Sequence, residues 1–376
     1  MSHGELFYLA REIGRDAQPN KWVASFLDHA KYLSTCAEES AGSASLQTLA
    51  NYHLGATYAF RGALQFTDPF SPSFRLLVVK MEQAFERAIT CLAAPIETIK
   101  IKFQETYLPG YYLHCDPLRP TVVMVGGGDT YREDLFYFAG YPGWQRNYNV
   151  LMVDLPGQGS NPDRGLTFTV DADEAIAVCI DWLEQRNPLL DQLALYGVSG
   201  GGYFTAQAAE RDERITAWIA STPIFDVAEL FRREFGLALK SPGWLMNTVL
   251  KIVGNVNQTA DLNLKKYAWQ FGSKDFRSAV DEVFKHARIV DYSKITCPAL
   301  FLMGDGEAEE LRRQTKEIYR DFIERGRYVT IHEFHPQSGA DAHCQLNNLR
   351  LVHGIVFDWL DSLFASPLTQ IREQQM

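Results

Sequence analysis

The stretch Gly197-Val198-Ser199-Gly200-Gly201 carries the strongest chemical signal in this chain. It follows a short apolar run at 193–196 and precedes a helical stretch at 203–210. A serine flanked by glycines at a strand-to-helix turn is a nucleophile elbow: the bend is too tight for side chains two positions away, and the helix N-terminus favours developing negative charge. Ser199 is therefore the candidate nucleophile. The plainer alternative, a structural glycine turn, does not require the strand and helix on either side.

A serine hydroxyl needs a base near neutral pH. In the chain order nucleophile, acid, histidine, the base lies downstream, which leaves His286, His332, His335, His343 and His353. His343 sits in Gly339-Ala340-Asp341-Ala342-His343-Cys344, between the last strand-like run and the closing helix, and is the candidate base. His332 belongs to a strand-like run and His353 to the closing helix, so both read as structural; His335 shares the loop region and competes. The acid belongs just after the apolar run 299–303, in Gly304-Asp305-Gly306-Glu307. Spacing favours Glu307, and Asp305, nearer the strand, stays open as the alternative. An oxyanion hole needs preorganised N–H donors. Gly200 supplies one, and the loop Gly126-Gly127-Gly128-Asp129 offers Gly127 and Gly128 for the second. These glycines lack the companions of a phosphate-binding loop. Glu133, close to that loop, is either a substrate contact or a helix-start acid. Tyr203, Trp244, Tyr267, Trp269 and Phe271 are candidates for an apolar substrate pocket, with core packing as the alternative.

These residues need a scaffold. Short apolar runs at 121–125, 150–153 and 193–196, separated by helical stretches such as 172–184, with strand character returning at 299–303 and 328–334, indicate a buried, mostly parallel sheet flanked by helices. Residues 96–103 alternate apolar and polar and predict an antiparallel strand paired with 108–114. Helical spacing dominates 45–66 and 74–92, and an aromatic-rich helical block covers 225–290. The expected organisation is an α/β core at 96–222 and 291–376, a helical N-terminal region at 1–95 contributing to a cap, and a helical cap insertion at 223–290.

Composition narrows the partners. The chain has 376 residues, 46% hydrophobic and 22% charged, with a formal net charge of −10. It is long enough for a large core without metals or disulfides. Without a basic footprint, nucleic-acid binding is not expected. The six cysteines form no Cys-x-x-Cys pair, so free thiols in a reducing compartment are expected, with no metal and no cofactor. No membrane-spanning stretch or secretory leader is visible, and a cytoplasmic protein acting on a small-molecule ketone or ester is the expectation.

The motifs also resemble a known group. Leu108-Pro109-Gly110-Tyr111, Gly126-Gly127-Gly128-Asp129-Thr130, Asp154-Leu155-Pro156-Gly157-Gln158-Gly159, the Ser199 turn, Gly339-Ala340-Asp341-Ala342-His343-Cys344-Gln345 and Phe357-Asp358-Trp359-Leu360 occur in this order. The pattern resembles the α/β-hydrolase group that includes 2,6-dihydroxypseudooxynicotine hydrolase, the fungal yellowish-green polyketide-shortening hydrolase and FrsA-like esterases. The resemblance implies an α/β-hydrolase fold, a Ser/acid/His triad, a role for Glu133 near the oxyanion loop, a homodimer, and in some members cleavage of a carbon–carbon bond beside a ketone. The Gly-Asp-Gly-Glu loop departs from the aspartate usual there. An esterase, thioesterase or amidase using the same residues is the alternative function, and a non-catalytic binding relative is a third.

Overall fold

The structure is a computed structural model that describes residues 2–15, 17–169, 171–239 and 257–365. The chain divides into two compact units. One comprises Met1–Ala94 with Leu237–Val280, and the other Pro95–Gly236 with Asp281–Met376.

The second unit is built on an eight-stranded sheet. Its strands are β1 (Ile96–Phe103), β2 (Thr106–Leu113), β3 (Thr121–Val125), β4 (Asn149–Val153), β5 (Leu193–Val198), β6 (Ala217–Ser221), β7 (Ala299–Gly304) and β8 (Val329–Phe334). The spatial order is β1-β2-β4-β3-β5-β6-β7-β8. β1 and β2 form an antiparallel hairpin, β2 runs antiparallel to β4, and the strands from β4 to β8 pair in parallel. This is the mostly parallel α/β architecture expected from the apolar runs. β3 to β7 are buried at every position, as strands covered on both faces must be.

Apolar layers cover the sheet. Around β1 to β5, Val123, Val125, Leu151, Val153 and Leu195 pack with Ile176, Cys179, Ile180 and Leu183 of the helix Asp173–Arg186. Around β6 and β7, Trp218 and Phe301 pack with Ile318 and Phe322 of the helix Glu309–Glu324. Trp218 and Phe301 meet edge to face, with ring centroids 5.2 Å apart.

The first unit is helical. Helices Leu46–Leu64 and Pro72–Cys91 begin at Ser45 and Ser71, whose hydroxyls accept the N–H groups of Thr48 and Phe74 and satisfy donors the first turn leaves open. The helix Gln258–Gln270 belongs to the same unit, where its Trp269 packs edge to face on Phe74 with 5.1 Å between centroids. Among the described residues, no helix is long and apolar enough to cross a membrane.

Candidate active site

Four loops of the sheet unit converge because they leave the same, C-terminal, ends of parallel strands. Gly126-Gly127-Gly128 follows β3, Ser199 follows β5, Glu307 follows β7 and His343 lies beyond β8. Ser199 has φ +54°, a left-handed conformation rare outside glycine and frequent where a functional side chain is held in place. Its N–H donates to the Ser221 carbonyl at the end of β6 over 2.7 Å, and the Gly202 N–H donates to its carbonyl over 2.8 Å. The helix Gly201–Arg211 starts directly after it.

The side chains line up. Ser199 Oγ lies 3.0 Å from His343 Nε2, and His343 Nδ1 lies 2.5 Å from Glu307 Oε2. Glu307 is buried, and its second oxygen accepts the Cys344 N–H over 3.0 Å. A carboxylate on Nδ1 selects the imidazole tautomer whose Nε2 can accept the serine proton. Burial pulls the His343 imidazole down, but contacts with the Cys344 side chain and with Glu307 outweigh it and raise its pKa above the ordinary histidine range. Burial pushes the Cys344 thiol up. The ligand-type atoms of Glu307, His343 and Cys344 lie within 4.8 Å of one another. Two of these three residues, Glu307 and His343, form the hydrogen-bonded line to Ser199.

Asp305 goes elsewhere. Its Oδ2 lies 2.9 Å from His335 Nδ1 on the exposed side of the loop, and this contact raises the His335 pKa. The two carboxylates and the two histidines of this region thus sort into separate pairs, with Glu307 facing the serine.

The glycine loop lies against the nucleophile. A Cβ on Gly127 would sit 2.5 Å from Ser199 Cβ and 3.1 Å from the Gly200 nitrogen, so only glycine allows this approach. The Gly127 N–H donates to Thr130 Oγ1 over 2.9 Å. The Gly128 nitrogen lies on the Gly200 side, 3.4 Å from where a Gly200 Cβ would be.

Glu133 lies in the first turn of the short helix Arg132–Leu135. It is fully buried: Tyr111 donates to its Oε1 over 2.8 Å, and Arg132 Nε lies 3.3 Å from the same oxygen. Arg132 also reaches Asp154 Oδ2 at 3.2 Å. Burial, with Glu133 adding to it, pushes the Tyr111 hydroxyl well up and keeps it a donor. Tyr203 is buried, with its hydroxyl donating to the Arg288 carbonyl over 2.7 Å. Trp269 is buried in the helical unit, Tyr267 packs on Phe276 with centroids 5.6 Å apart, and Phe271 caps the helix Gln258–Gln270. Trp244 lies outside the described residues.

Two residues carry no signal strong enough to single them out by type and spacing alone. Ser221, through its carbonyl, holds Ser199, and through its hydroxyl donates to Gln345 Oε1 over 2.7 Å. Gln158, fully buried, donates to the glycine loop. Gln158 does sit inside a recognisable Gly-Gln-Gly motif, the one feature that could have pointed to it.

Comparison with known proteins agrees with this architecture. A family model described as serine aminopeptidase, S33, matches residues 119–282. The 20-hydroxy-prefusarin hydrolase FUS2 of Gibberella moniliformis is 26% identical over 96% of this chain and 92% of its own length. The alpha/beta hydrolase gkaG of Penicillium citrinum is 25% identical over 77% of this chain and 74% of its own. The solved structure of 2,6-dihydroxy-pseudo-oxynicotine hydrolase superposes with a TM-score of 0.72 over 97% of this chain and 93% of that one, at 17% identity.

Proposed function

We propose that this chain, which has the α/β-hydrolase fold, is a serine hydrolase that cleaves a carbon–carbon bond beside a ketone in a small aromatic or polyketide-like substrate. The observation that carries the hydrolase reading is the unbroken line Glu307–His343–Ser199, with contacts of 2.5 and 3.0 Å. The substrate class rests on likeness, since a relative and a solved structure that each match nearly the whole chain carry the names 20-hydroxy-prefusarin hydrolase and 2,6-dihydroxy-pseudo-oxynicotine hydrolase; the choice of bond rests on the motif resemblance to a group some of whose members cleave carbon–carbon bonds beside a ketone.

Ser199 Oγ attacks the ketone carbon as its proton moves to His343 Nε2. The resulting oxyanion is held by the N–H groups of Gly200 and Gly128. Collapse breaks the carbon–carbon bond, and the electron pair leaves as an enolate-type carbanion that the His343 imidazolium protonates. Water, deprotonated by His343, then attacks the acyl-serine; collapse releases the acid, and the proton returns to Ser199. Glu307 keeps the imidazole oriented and stabilises its charged form throughout.

The same groups can hydrolyse an ester, thioester or amide, since all pass through a tetrahedral oxyanion. The S33 aminopeptidase family match favours that second reading. Assaying β-diketones and acyl-naphthol ketones beside p-nitrophenyl esters separates the two. Diketone cleavage is expected; fast ester turnover with none would leave only the second. Ser199→Ala is expected to lower kcat by about 10⁴–10⁶-fold and to abolish fluorophosphonate labelling, and retention of either would overturn both readings.

A further inference from the structure

An oxyanion hole works only if its N–H groups are aimed before the reaction starts, and glycines have no side chains with which to hold their own peptide planes. In this chain Thr130 of the same loop holds the Gly127 N–H, and the carbonyls of Gly126 and Gly127 are held from a different segment. Gln158, in the loop after β4, is 1% exposed. Its Nε2 donates to the Gly126 carbonyl over 2.6 Å and to the Gly127 carbonyl over 3.0 Å, while its Oε1 accepts the Leu155 N–H over 2.8 Å. The opposite amide orientation would set oxygen against two carbonyls and NH₂ against an N–H, so the contacts leave one choice.

The consequence follows from the planarity of the peptide bond. With the Gly127 carbonyl turned to Gln158, the Gly128 N–H of the same peptide points the opposite way. The Gly128 nitrogen lies on the side of Gly200 and the Ser199 turn. The Gly127 N–H, by contrast, is directed to Thr130. The loop carrying Gln158 is itself pinned, since Asn161 Nδ2 donates to the Asp154 and Leu155 carbonyls over 2.9 and 2.8 Å. A glutamine suits this position because its amide sets two donor hydrogens and one acceptor in one plane, with no charge. A carboxylate would repel both carbonyls, and asparagine is one methylene shorter.

We propose that Gln158 is a positioning residue for the oxyanion hole, aiming the Gly128 N–H at the carbonyl oxygen that Ser199 activates. This rests on the serine-hydrolase reading.

The test compares wild type, Gln158→Met, Gln158→Glu and Ser199→Ala for kcat, KM and affinity for a trifluoromethyl ketone, with circular dichroism reporting folded protein. Loss of one oxyanion donor costs about 10²–10³-fold in kcat, and misaiming one is expected to cost about 10- to 100-fold. KM should change little, and affinity for the tetrahedral mimic should fall by the same factor as kcat. Gln158→Glu keeps the Leu155 contact and the shape. Its introduced carboxyl can donate only when protonated, so its residual activity should fall with rising pH, against the wild-type trend. Wild-type kcat and mimic affinity in both variants would overturn the proposal, as would a loss that merely tracks unfolded protein. Activity surviving in Ser199→Ala would instead sink the hydrolase reading beneath it.

Discussion

At the scale of single residues, the site turns on which carboxylate touches which imidazole. Glu307 is buried against His343, and Asp305 pairs with His335 where water screens both. Glu307→Gln should therefore lower kcat by about 10²- to 10⁴-fold, whereas Asp305→Asn should leave it within a few-fold, because an exposed pair contributes little. Steady-state kinetics on the two variants decide it, and equal losses would argue against the separation. The pH profile follows from the raised pKa of His343. The base form is the deprotonated imidazole, so kcat/KM should rise with pH along a limb centred above the unperturbed histidine value of about 6.5. Glu307→Gln removes one of the contacts that favour the charged ring and should move that limb to lower pH; a wild-type limb at or below the unperturbed value would contradict the geometry. Ser199 and His343 are legible in the sequence because each sits in a local pattern with a position in the chain order. The acid stays open between two residues there. Its choice depends on how the loop turns, and the turn is set by the Gly306 N–H donating 2.9 Å to the Asp341 carbonyl, a contact between remote segments. The surroundings of Glu133 are hidden for a similar reason, since its partner Tyr111 comes from β2 and no local spacing announces that contact.

At the scale of elements, the serine turn depends on how closely the following helix approaches the end of β6. A Cβ on Gly202 would overlap the Thr222 carbonyl, so this close approach requires glycine. Gly202→Ala must push the helix Gly201–Arg211 away or shift the residues after β6. Overpacking of this kind costs about 1–3 kcal/mol, and urea unfolding should show it. Because the Ser199 N–H donates to the Ser221 carbonyl on that strand, turnover should fall as well. Unchanged stability and activity together would mean that the two elements are not tightly coupled. β6 is also the strand that the sequence conceals. Ala217-Trp218-Ile219-Ala220-Ser221 is short and holds two alanines and a serine, a weak β signal. It is a strand because β5 and β7 pair with it on either side. The Val- and Leu-rich strands need no such context.

At the scale of the whole molecule, the helical unit is assembled from chain segments far apart in sequence, Met1–Ala94 and Leu237–Val280. Aromatic spacing marks the later segment as helical but cannot say what its aromatics pack against, because the covering residues lie far upstream. Trp269 is the example: its buried indole rests on Phe74, in a helix that starts at Pro72. Trp269→Ala removes one of the largest side chains joining the two segments, and truncating a buried tryptophan costs about 3–5 kcal/mol. If the loss is confined to the helical unit, amide exchange should accelerate together in Leu46–Leu64, Pro72–Cys91 and Gln258–Gln270, elements of one compact unit. Peptides from β3 to β7 should keep their protection, since their hydrogen bonds and burial belong to the other unit. Hydrogen exchange read by mass spectrometry distinguishes this from a single cooperative block: a uniform rise over both sets of peptides would show that the two units open as one.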